Sequence, residues 1–143
     1  MGKKNKWEGD YPVDFDLIGI VSSMKEYKLG WYLNQIEIFH LVKHDDVKIE
    51  FAENKIIRIS NLADETEYRS VHLLRNKLFN SSSAGIQYLI PELQQFDYLL
   101  KLKNTLEDNW SSYLITKIKE CAAINYAVII DLGKVKSKEN LIF

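Results

Sequence analysis

"YLIPELQQFDYLL", Tyr88 to Leu100, turns on one proline. Pro91 has no N–H to give a strand ladder, and its ring fixes φ. It also pushes Ile90 into an extended conformation. A strand therefore ends at Ile90, and a turn or short helical segment begins at Pro91. Glu92 follows at once, and an anion at a helix N-terminus is favoured by ~0.3–1 kcal/mol. Asp97 then opens a new strand. Phe96, Tyr98, Leu100 and Leu102 alternate with Asp97, Leu99, Lys101 and Lys103, the period of two of a pleated strand. The stretch reads as strand, turn, strand.

Downstream, Thr105 is placed to cap a helix, with Asp108 as a weaker stand-in for the usual glutamate. Leu106, Trp110, Tyr113, Leu114, Ile118 and Cys121 form the apolar stripe of that helix, and "INYAVIID" (Ile124 to Asp131) is a last strand. Upstream, "IQYLI" (Ile86 to Ile90) is a short strand, preceded by the loop "NSSSAG" (Asn80 to Gly85). "YRSVHLLRN" (Tyr68 to Asn76) is a strand candidate after the acidic turn "ADETE". "VKIEF" (Val47 to Phe51) and "KIIRIS" (Lys55 to Ser60) make a hairpin through "AEN". Before them, Lys25 to Val42 has helical spacing, with Leu29, Tyr32, Leu33, Ile36 and Phe39 or His40 on the core stripe. "FDLIGIV" (Phe15 to Val21) is a buried strand.

The order is strand, helix, several strands, then strand, helix, strand. It predicts an α+β fold: a mainly antiparallel sheet with two helices on one face, a ferredoxin-like plan with an extra hairpin. Residues 1–12 read as a flexible polar lead, 13–133 as a single domain and 134–143 as a lysine-rich C-terminal tail. The 143 residues suffice for one core. A hydrophobic share of 46% and a charged share of 27% argue against disorder of the whole chain. Nineteen basic and 20 acidic residues give a net charge of −1, so no global field draws nucleic acid or an anionic membrane. One cysteine, Cys121, excludes an internal disulfide framework and fits a reducing cytoplasm. The start "MGKKNKWEGDYP" has no apolar run of the signal-peptide kind, and no stretch reaches the ~18 apolar residues of a membrane span.

"IPELQQFDYLLKL" (Ile90 to Leu102) resembles the signature of the bacterial IPExxxVDY family. Ile90, Pro91, Glu92, Asp97 and Tyr98 match with the right spacing, while Phe96 stands at the valine position. "YKLGWYLNQ" (Tyr27 to Gln35) and "KSKENLIF" (Lys136 to Phe143) resemble that family's first helix and its ending, so the likeness spans nearly the whole chain. The resemblance implies little about chemistry. On physical grounds each motif residue has a structural task. The sharper alternative makes Glu92 and Asp97 a carboxylate pair at an enzyme centre.

His40 and His44 are four apart and so share a helix face, but Leu41 stands where a zinc-binding H-E-x-x-H pattern has glutamate. No metal or cofactor is expected. His72 reads as a satisfied structural histidine. Cys121 lies on an apolar stripe, and Ser81 to Ser83 lack a nucleophile-elbow context. Lys3, Lys4 and Lys6 with Trp7, and Lys134, Lys136 and Lys138, would form an RNA-contacting patch if the ends meet. A second apolar set lies on the flank of the first helix: Tyr27, Trp31, Ile38 and Val42. With the tip Leu141, Ile142 and Phe143, it supplies the best contact candidates. Alternatively the tail folds back and covers that flank. The expected function is a cytoplasmic, non-catalytic protein–protein interaction or adaptor module, a homodimer included. An RNA-associated accessory factor is the runner-up.

Overall fold

The computed structural model describes residues 14–51, 55–79, 86–104, 106 and 109–143. Eight strands and two α-helices lie among them. They are β1 (Asp16–Val21), α1 (Glu26–Asn34), β2 (Val42–Phe51), β3 (Lys55–Glu65), β4 (Arg69–Arg75), β5 (Lys77–Phe79), β6 (Ile86–Tyr88), β7 (Tyr98–Asn104), α2 (Trp110–Ile118) and β8 (Tyr126–Ile129). Short 3-10 turns cover Pro91–Leu93, Leu132–Lys134 and Lys138–Leu141.

The main sheet runs β2-β3-β4-β7-β1-β8, and every neighbouring pair is antiparallel. Take β1, β4, β7 and β8 as first to fourth. Their spatial order is then second, third, first, fourth, that of the split βαβ plan. The β2–β3 hairpin extends the β4 edge, and β5 pairs with β6 in a separate small sheet.

Both helices cover one face. Leu29 and Leu33 of α1, with Trp110, Leu114 and Ile118 of α2, pack on Ile18, Ile20, Val71, Leu73, Tyr98 and Leu100. Gly30 permits close approach, because a β-carbon there would stand 2.8 Å from Leu62 Cδ1 on β3. On the opposite face, Leu17, Leu74 and Leu99 meet Leu78, Leu89, Ile90, Leu93 and Phe96 from the small sheet and the motif turn. Val135 and Leu141 join the same cluster. β7 is thus covered on both sides, and Tyr98 to Leu102 are all buried. The α+β class, the mainly antiparallel sheet and the two helices on one face agree with the sequence reading.

Several boundaries differ. α1 ends at Asn34, well short of Val42. The Asn34 side chain donates to the Leu41 carbonyl (3.0 Å) and accepts from the Leu41 N–H (2.7 Å), while Glu37 takes a left-handed φ of 65°. A short amide side chain that bonds the backbone competes with further helical turns. Ile36, Ile38 and Phe39 still reach the core, but from a loop. Ile38 is therefore half-buried off the helix, and Val42 opens β2. β2 also takes in His44–Asp46, ahead of the segment read as the first hairpin strand, with a bulge between His44 and Val47. β3 absorbs the start of the acidic turn. β5 is a strand that sequence periodicity missed. Residues 134–143 are not a separate tail, since Val135 and Leu141 are core residues. The 1–12 lead, the 52–54 connection, the 80–85 loop and the capping residues Thr105 and Asp108 lie outside the described residues. No helix among the described residues is long and apolar enough to cross a membrane.

Candidate functional site

The motif turn is built around Asn76, which is fully buried after β4. Its Nδ2 donates to the carbonyls of Leu93 (2.8 Å) and Phe96 (3.1 Å), and its Oδ1 accepts from the Ile90 N–H (2.9 Å). Its backbone N–H donates to the Asp97 carbonyl, and its carbonyl accepts from Leu89. One side chain thus satisfies the polar groups that the turn at Pro91 takes out of the ladder.

The matched motif residues take up separate tasks. Glu92 Oε2 accepts from the Ser137 N–H (2.7 Å) and so anchors the C-terminal segment. Partial burial pushes its carboxyl up, but hydrogen bonds from its own backbone and from Ser137 and Lys136 win and hold it below the usual range. Asp97 Oδ2 accepts from the Ser22 N–H (2.9 Å) at the end of β1, and its Oδ1 lies 3.9 Å from the Lys77 ammonium. Tyr98 is buried and donates its hydroxyl to the Met24 carbonyl (2.6 Å), and burial raises its pKa. Glu92 and Asp97 therefore serve different segments and share no hydrogen bond. Phe96 lies over Gly19 of β1, where a β-carbon would stand 2.7–2.8 Å from the ring.

The two contact candidates do not form one surface. Tyr27 and Trp31 are 68% and 58% exposed, one helical turn apart on α1. With Lys28 and Tyr32 they line a shallow depression, and the Trp31 and Tyr32 rings meet edge to face at 5.1 Å. Ile38 is not part of it. Leu141 is fully buried on the other side of the sheet, while Ile142 and Phe143 are about half exposed. The chain end does fold back, but onto the face that α1 does not occupy.

That placement reveals a polar row the sequence reading missed. His72 and Lys101 are direct cross-strand partners on β4 and β7, on the face opposite the helices. His72 Nδ1 is 3.0 Å from Asn61 Oδ1, and its Nε2 is 3.2 Å from Glu65 Oε2. Burial pushes the His72 pKa down, Glu65 pulls it up, and Lys101 and His44 push it down again, leaving it lowered. Lys101 is only 6% exposed. Among the described residues its ammonium meets ring faces, Phe143 at 3.8 Å and Phe15 at 5.1 Å. Burial pushes its pKa down to about 8. The signal was present in "LLKLK": a lysine in phase with Leu99 on a strand apolar on both faces. Periodicity alone assigns such a lysine to solvent.

The remaining candidates do not converge. His40 is exposed ahead of β2 and His44 lies within it, so no helix face joins them. Among the described residues, no group of three or more metal-ligating side chains gathers. Cys121 packs half-buried against the helix-side core. Lys134 and Lys136 are exposed, while Lys3, Lys4, Lys6, Trp7 and Ser81 to Ser83 lie outside the described residues. Comparison of the chain with protein-family models, with curated proteins and with solved structures returns no match.

Proposed function

We propose that this protein is a non-catalytic interaction module that binds a protein partner through the outer face of α1. The observation that carries the reading is the exposed Tyr27–Trp31 pair beside a shallow depression. Large aromatic side chains left in water at one-turn spacing are typical anchors for a partner surface. The engagement of Glu92 and Asp97 in holding separate segments supports a non-catalytic reading. Kinship with the IPExxxVDY family, resting on Ile90, Pro91, Glu92, Asp97 and Tyr98, belongs to the same proposal, as does a cytoplasmic setting for the lone thiol.

Trp31→Ala is the test, because Trp31 is more than half exposed and its loss leaves the core intact. The variant should retain the melting temperature yet weaken assembly by roughly 30-fold or more, as for a hot-spot residue worth ~2 kcal/mol. Light scattering reads self-association, and affinity capture reads other partners. An unchanged mass together with an unchanged partner list would overturn the proposal.

A further inference from the structure

The geometry points to a proton-operated latch in the C-terminal strap, residues 135–143: the strap closes when His72 sheds its proton and loosens when His72 takes one up, with Lys101 as a second base beneath the same ring. The strap is held along its length by Val135 and Leu141 in the core, by Ser137 on Glu92, and by Asn140 Nδ2 on the Leu89 carbonyl (2.9 Å). Its end is different. Phe143 lies edge-on to His72 at 5.3 Å and over the Lys101 ammonium at 3.8 Å. One ring therefore shields two basic side chains that face each other across β4 and β7.

The charged groups around this pair set the sign. His72 meets Glu65 from β3, Lys101 from β7 and the field of His44 from β2. Lys101 feels Asp14, Lys103 and Glu65. Glu65 is half exposed, and Asp14 is committed to Lys103 at 3.0 Å, so neither carboxylate fully offsets burial of the two bases. Lifting Phe143 returns His72 toward water, where the imidazole holds its proton more tightly; for Lys101 the lost ring contact at 3.8 Å offsets part of the same gain. The open strap therefore binds more protons than the closed one, and acid favours opening. The Asn61 and Glu65 oxygens on the two ring nitrogens act the other way, because both suit an imidazolium.

The test follows the His72 ring resonances and the amide exchange of Leu141 to Phe143 from pH 8 to pH 5. Exchange rates are corrected for their intrinsic pH dependence. Strap protection should fall as His72 titrates, by about tenfold for each unit separating its closed and open pKa. In Phe143→Ala the His72 midpoint should move up toward that of an ordinary imidazole. In His72→Gln the protection should stay level over the same range. Protection that rises in acid or ignores the His72 titration would overturn the latch. So would a His72 midpoint indifferent to Phe143→Ala. If His72→Gln fails to fold, Phe143→Ala alone decides, because Phe143 is about half exposed and outside both apolar clusters.

Discussion

Gly19 bears no side chain because Phe96 fills the space one would need. The larger ring at the motif's valine position also stacks on Tyr126 at 6.4 Å, so it ties β8 to the motif turn across β1. Adding a methyl there means moving a packed ring. Gly19→Ala should cost ~1–3 kcal/mol, as overpacking does. In a Phe96→Val background most of that cost should disappear, because the methyl then enters vacated space. Urea melts of the four proteins in a double-mutant cycle measure the coupling, and additive effects would refute the steric account. Asn76 works at the same scale. Its side chain has two donors and an acceptor, and all are used inside one turn. Nothing in "LLRNKLF" marks it, because the groups it satisfies are created by a proline further along the chain.

Among the elements, the C-terminal strap differs most from its sequence reading. "KSKENLIF" reads as a solvated tail because its five polar residues outnumber its three apolar ones. The structure separates the residues by position: Leu141 is buried, while Ile142 and Phe143 remain about half exposed. Leu141 therefore belongs to folding rather than to a free contact tip. Leu141→Ala should cost ~2–5 kcal/mol, the range for a buried leucine, read as a lower urea midpoint with an unchanged slope. A loss under ~0.5 kcal/mol, the scale of a surface substitution, would return the strap to the status of a tail. α1 shows the converse error. Its apolar spacing continues through Ile36 and Phe39 after the backbone has left the helix, because both residues still pack in the core, from a loop. Periodicity records burial, and a loop lying against a core imitates it.

For the whole molecule, Lys101 adds a pH-dependent contribution to stability. Its folded pKa of about 8 lies below the ordinary 10.5. The folded state thus resists protonating this amine. The penalty is fully present below pH 8 and is relieved as pH rises toward 10.5. Cation–π contact with Phe143 and Phe15 offsets part of it, by ~1–2 kcal/mol. Lys101→Met should therefore stabilise the protein by ~1–3 kcal/mol at pH 7, since a buried charge gives way to an apolar chain of similar reach. Urea melts at pH 7 and pH 9.5 check this. The gain should shrink at the higher pH, because the wild-type amine is then largely neutral. A variant less stable than wild type at pH 7 would mean that the ring contacts outweigh the cost of burial.

By itself the sequence determined the class of fold. Period-two and period-3.6 spacing are local properties, and their order from "FDLIGIV" to "INYAVIID" admits few antiparallel arrangements. It also determined that Pro91 breaks the chain between two strands, because proline's geometry does not depend on context. Only the tertiary structure decided what lies against what: Asn76 inside the motif turn, Phe96 over Gly19, and Phe143 across His72 and Lys101. These contacts join segments far apart in the chain, and whether Lys101 meets water or an aromatic ring depends on where that ring arrives. No local pattern encodes that meeting, because it arises from the combined packing of both faces of the sheet.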